Sequence, residues 1–154
     1  MRRAVPDDAE ALTSLHLDVW EDAYVGLMPD RVFSERRATL SERIDRWRIN
    51  LASSPATTTV VEAETRLIGF ASIGPGRDED VAIAEEVWAL YVRSAWWGHG
   101  VGHALLTATL ADRPASLWVL DGNDRAIGFD RRHGFVADGT VRTDGHGTEL
   151  RMVR

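Results

Sequence analysis

The sequence predicts an α/β (α+β) fold, a mixed sheet with helices on both faces, and three observations carry that reading. Segments with apolar residues at helical spacing alternate with β-branched and aromatic runs. The β-rich runs Thr58–Ala63 and Arg66–Ile73 are joined by a tight turn, which reads as a hairpin. A third run, Glu86–Val92, leads into glycines at spacing two and then into an apolar helical pattern, giving strand, glycine loop, helix.

The elements follow in order. Residues 2–5 form a short first strand. Asp7 or Asp8 caps a helix whose apolar residues Leu12, Leu15 and Val19 recur at helical spacing. Residues 21–34, with Tyr24, Gly26, Pro29 and Phe33, read as a loop or short helices. Residues 35–52 are one helix with Leu40, Ile44, Trp47 and Leu51 on a face, ended by Ser53-Ser54-Pro55. The hairpin comes next, then a Gly/Pro/Asp loop over 74–82 and the strand Glu86–Val92. Val101–Leu110 is a helix and Ser116–Leu120 a strand. Asn123–His133 is a helix stopped by Gly134. Phe135-Val136-Ala137 begins another strand, and Glu149–Val153 is the last.

With 154 residues the chain reads as one domain, 1–154, large enough to bury roughly 68–70% of its unfolded surface. Apolar residues make up 44% and charged residues 27%, as in a soluble globular protein. No apolar run is long enough for a membrane span. The N-terminal run Met1–Asp8 turns acidic at once and lacks the apolar core of a signal peptide. Cysteine is absent, which excludes disulfides, thiolate metal sites and a cysteine nucleophile, and fits a cytoplasmic protein. A net charge of −6 argues against general affinity for nucleic acid and suits cationic partners such as amines. All 18 basic residues are arginine, which we read as genomic base composition.

The chemistry-bearing segment is Trp97-Gly98-His99-Gly100-Val101-Gly102-His103. Glycines at a strand-to-helix junction leave backbone N–H groups free at a helix N-terminus, where the dipole favours an anion such as phosphate. The same glycines also suit a tight turn with no ligand. No Gly-Lys-Ser/Thr follows, so this is not a P-loop, and the unit downstream is too short for a dinucleotide fold.

This loop, the strand before it, and the segment Leu117–Phe135 together resemble the GNAT N-acetyltransferase superfamily. The loop is similar to the family's Arg/Gln-x-x-Gly-x-Gly/Ala, with Gly100 and Gly102 at the small positions. The second segment is similar to its strand, Asn, then helix ending in Gly-Phe. Residues 20–29 also look like the early region of bacterial members. The resemblance implies a single-domain, mostly antiparallel sheet and direct acetyl transfer from acetyl-CoA to a small-molecule or peptide amine, without metal. It leaves a homodimer open. An acyl-CoA-binding module with little turnover is the alternative.

The resemblance implies cofactor contacts at residue level. Trp97, Gly98, His99, Gly100, Val101, Gly102 and His103 flank the pyrophosphate. Leu90, Tyr91 and Val92 present their backbone to the pantetheine arm, Asn123 bonds to that arm, and Phe129 lies beside it. Asn123 is also an N-cap, and Phe129 and Phe135 also read as core. Two positions depart from the family. Trp97 stands where an Arg or Gln is usual, and Asp130 where many members carry the Tyr that protonates the leaving thiolate. Asp130 reads as an exposed helix residue, with water or Tyr91 as the donor, or as a carboxyl of raised pKa that itself donates.

The resemblance places Glu86 at the position of the general-base Glu in family members that use one; an alkylammonium must lose a proton before attack. It also reads as a solvated strand end, with Glu85 on the opposite sheet face. His99 and His103 are four apart, but the glycines between them argue against a metal site. Trp20, Tyr24 and Trp47 read as core; the resemblance implies that the acceptor pocket lies in this N-terminal region, where Asp18, Glu21 and Asp22 would pair with an amine.

Overall fold

The computed structural model describes residues 1–154. Its sheet has seven strands in the order β1-β2-β3-β4-β5-β7-β6. The strands are β1 (Arg2–Arg3), β2 (Thr57–Ala63), β3 (Arg66–Pro75), β4 (Glu85–Val92), β5 (Ser116–Leu120), β6 (Val136–Asp144) and β7 (Gly147–Val153). All neighbours are antiparallel except β4 and β5. Five helices complete the fold: α1 (Ala9–Tyr24), α2 (Asp30–Ala38), α3 (Leu40–Ser53), α4 (Val101–Thr109) and α5 (Asp124–Arg132).

The helical periodicity of α1 is realised as burial. Leu12 and Leu15 are fully buried and Val19 nearly so, packed on Val60 and Phe70 of the sheet. Fully burying each such side chain is worth about 1.5–3 kcal/mol. Trp47 and Leu51 of α3 close the same core. A second core joins Leu106 of α4, Leu110 just past its end and Ile127 of α5 to Leu117, Phe135 and Met152. Helices therefore cover both faces, as the alternating pattern requires.

Several boundaries differ from the sequence reading. Asp8 does not cap α1 with its side chain; its carboxylate accepts from the Val5 N–H and pairs with Arg2. The single helix expected over 35–52 is divided at Thr39, whose hydroxyl donates to the Glu35 and Arg36 carbonyls. Side-chain bonds of this kind compete with the helical ladder. The break also turns Leu40 out of the apolar face, leaving it 46% exposed. The last two strands are longer than expected and form one hairpin closed at Gly145-His146. β6 is mostly exposed, so it carries no alternating signal to read. Asn123 is the N-cap of α5, its side chain accepting from the Ala126 N–H at 3.2 Å.

Candidate active site

β4 and β5 pair at only two positions, Glu86 with Ser116 and Val87 with Leu117. Beyond them the strands part. A cavity of about 400 Å³ lies in the opening, lined by Trp88–Val92 on one side and Leu117–Val119 on the other. A register shift in β4 contributes, since Ser72 faces Ala89 while Ile73 faces Val87, leaving Trp88 as the extra residue.

The glycine loop forms one end of this cleft. Gly98 and Gly100 sit at φ +77° and +78°, the left-handed region that other residues enter only with strain. Gly100 is the N-cap of α4, so the free N–H groups of the first turn face the cleft end. Gly102 is needed for a different reason: a Cβ there would lie 3.2 Å from the Phe129 ring. Trp97, Gly98, Gly100, Val101, Gly102 and His103 all line the cleft; His99 does not, its ring turning against Trp96. Leu90, Tyr91, Val92, Asn123 and Phe129 line it too.

Sequence reasoning missed the cation at this end. The Arg125 guanidinium stacks on the Trp97 ring, 3.3 Å from its centroid, while the indole N–H donates to the Val92 carbonyl at 2.8 Å. Arg125 makes no ion pair, and burial lowers its pKa. An unpaired cation held over an aromatic face beside free backbone N–H groups is suited to an anion. The signal in the sequence was an arginine two residues after the cap Asn123.

Asp130 also lines the cleft. It is half-buried, which corrects the reading of it as an exposed helix residue, and burial pushes its carboxyl up to about 7. Beside it along α4 and α5, His103 Nδ1 stands 3.0 Å from His133 Nε2, and His133 Nδ1 stands 2.8 Å from the Phe129 carbonyl. The carbonyl accepts only, so His133 carries a proton on Nδ1.

Glu86 is not a solvated strand end: it is 1% exposed. Its carboxylate takes Arg77 through both Nε and Nη2 and accepts the Arg77 backbone N–H at 3.1 Å. It does not line the cleft. Glu85 faces the other way, paired with Arg113. The N-terminal acids are likewise engaged. Asp18 pairs with Arg93 and Arg37, Glu21 with Arg37, and Asp22 accepts from the Ser94 N–H. Glu21 does not line the cleft. Trp20 donates to Tyr91 Oη at 3.1 Å, and Tyr24 Oη lies 2.9 Å from the same oxygen. Burial raises the pKa of both phenols, so they remain protonated.

This cleft, glycine nest and asparagine-capped helix coincide with a match to the acetyltransferase (GNAT) family over residues 14–135. The chain belongs to the GNAT acetyltransferase family. A probable N-acetyltransferase of Mycobacterium tuberculosis is 25% identical over 148 residues, 93% of this chain and 83% of its own. An aminoglycoside N(6')-acetyltransferase of Stenotrophomonas maltophilia is 32% identical over 138 residues, 86% of this chain and 74% of its own. The GNAT fold is shared with the PaiA N-acetyltransferase of Thermoplasma acidophilum, solved in complex with coenzyme A. The TM-score is 0.72 at 20% identity, covering 97% of this chain and 95% of that one. As a GNAT member with relatives named N-acetyltransferases, the chain is an acyltransferase.

Proposed function

We propose that this GNAT enzyme transfers the acetyl group of acetyl-CoA directly to the nitrogen of an amine. The observation that carries the reading is the cleft between β4 and β5 with an anion-suited end: left-handed Gly98 and Gly100, the first turn of α4, and the unpaired Arg125 on Trp97. The pyrophosphate lies on the backbone N–H groups of residues 98–103, and Arg125 supplies the cation that Trp97 cannot. The pantetheine arm runs along Leu90–Val92, with Asn123 and Phe129 opposite.

The amine nitrogen attacks the thioester carbonyl carbon; the carbon–sulfur bond breaks and the sulfur takes a proton. Asp130 is the donor in this reading, because it lines the cleft and its carboxyl is held near half-protonation at neutral pH. Glu86 is left out of the proton path, its lone pairs being taken by Arg77. The proton lost by the ammonium leaves to solvent, with Tyr24 at the acceptor side of the cleft as a hydrogen-bonding group. Trp20 holds Tyr91, and through it Tyr24, in place.

Thiol release from acetyl-CoA across a panel of amines tests this reading. Amine-dependent release with a matching acetylated product supports it. Tight acetyl-CoA binding with no release for any amine would leave an acyl-CoA-binding module, and the transfer reading would fall.

A further inference from the structure

A second cavity, of about 320 Å³, lies between α1, α3 and the sheet. No Asp or Glu lines it, although the chain carries a net charge of −6. Arg36, Arg43 and Arg46 all line it, and none of the three has a carboxylate partner. Resting on the acetyl-transfer reading, we propose that this cavity binds an anionic group, a carboxylate or a phosphate, carried by the acceptor amine itself.

Three features make the cavity a built site. Arg36 stacks on Trp20, 3.6 Å from the ring centroid, and its Nε is buried without a hydrogen-bond partner. Arg43 is fixed by its Nε, which donates to the Arg36 carbonyl at 2.9 Å and to Thr39 Oγ1 at 3.1 Å, so its terminal nitrogens are free for an anion. Burial, and then the charge of Arg43, lowers the Arg36 pKa to about 10. Like charges held this close are stabilised by an anion between them.

The rest of the lining is neutral and polar. His16 is half-buried, and burial followed by the charges of Arg36 and Arg43 lowers its pKa to about 3, so it faces the cavity uncharged. Thr58 and Ser72 share a hydroxyl hydrogen bond at 2.8 Å on the sheet side. Trp88 and Ala89 line both cavities, so a ligand anchored here reaches β4 where the cleft opens. Polyamines and other polycationic amines meet repulsion at the same place.

Matched series of ω-amino acids, ω-aminoalkylphosphonates and plain alkylamines of graded chain length, with spermidine, test the proposal. Calorimetry on the protein alone reads binding, and thiol release from acetyl-CoA reads transfer. The anionic amines should bind, and be acetylated with kcat/KM about ten-fold or more above the plain amines. Arg43→Gln and Arg46→Gln should each raise their KM severalfold or more, with smaller effect on kcat and none on acetyl-CoA affinity. Preference for phosphonate or for carboxylate identifies the natural anion. Preference for plain amines or spermidine, or undiminished affinity in both variants, overturns the proposal. Binding of the anionic probes that the variants weaken, with no thiol release from any amine, upholds the anion site and removes the transfer reading instead.

Discussion

The Arg125 guanidinium carbon stands 3.3 Å from the centroid of the Trp97 ring, at the cleft end where the glycine loop meets α4. Trp97 occupies the position where an Arg or Gln is usual, and the cation reaches the same place from α5. If it meets a phosphate, Arg125→Met should weaken acetyl-CoA about ten- to a hundred-fold, the size of a lost charge-assisted hydrogen bond. Trp97→Leu should weaken it less, by roughly the ~0.5–2 kcal/mol of a cation–π contact. Calorimetry at two salt concentrations checks this: the Arg125 effect should shrink at high salt. Unchanged affinity for Arg125→Met would place the phosphates elsewhere.

Gly100 and Gly102 are required for separate reasons and should fail differently. Gly100→Ala forces a side chain into φ +78°, with open space around it. The cost is about 1 kcal/mol of strain, seen as a lower Tm with modest loss of acetyl-CoA affinity. Gly102→Val drives a branched side chain into Phe129, which lies 3.2 Å from the Cβ position. Binding should then fall steeply, because Phe129 itself lines the cleft. Equal behaviour of the two variants in thermal melts and binding titrations would contradict this division.

Asp130 gives a pH signature. Burial raises its folded-state pKa to about 7, so between about pH 4 and 7 the native state holds a proton that the unfolded state has lost. Stability from this group therefore falls as pH rises through that window, by something on the order of 1–4 kcal/mol. Asp130→Asn should flatten the decline and raise Tm at pH 8. The same variant should lower kcat about ten-fold or more, having no proton to give. Asp130→Tyr should keep most of the activity. A kcat that Asp130→Asn leaves untouched across pH 6–9 would take Asp130 out of the reaction.

The Arg77–Glu86 pair is the fourth test. Arg77→Met leaves a 1%-exposed carboxylate without its cation and should destabilise by about 2–4 kcal/mol in denaturant melts. Arg77→Met with Glu86→Leu should recover most of that loss, since replacing both partners removes the stranded charge. Glu86→Gln should alter stability while leaving the shape of the kcat–pH profile intact. A lost acidic limb in that profile would restore Glu86 as the general base.

Much of the architecture was legible because it is written in local periodicity. Leu12, Leu15 and Val19 mark the buried stripe of α1. The spacing of Gly98, Gly100 and Gly102 before an apolar helix marks the nest, and Asn123 before Asp124 marks a cap that the structure realises with the Ala126 N–H. These features act within one turn of chain, so the residues themselves specify them. What the sequence left open depends on long-range partners. Nothing local says that Arg77 claims Glu86, that Arg37 claims Glu21, or that Arg93 reaches Asp18, 75 residues away. Burial of Asp130, the placement of Arg125 over Trp97, and the convergence of Arg36, Arg43 and Arg46 on one cavity arise only when helices distant in sequence pack on the same sheet. The elements, their order and the glycine loop are specified locally, because backbone geometry and apolar spacing act over a few residues. Which charges are free to act is set on folding, because pairing and desolvation depend on neighbours that are distant in the chain.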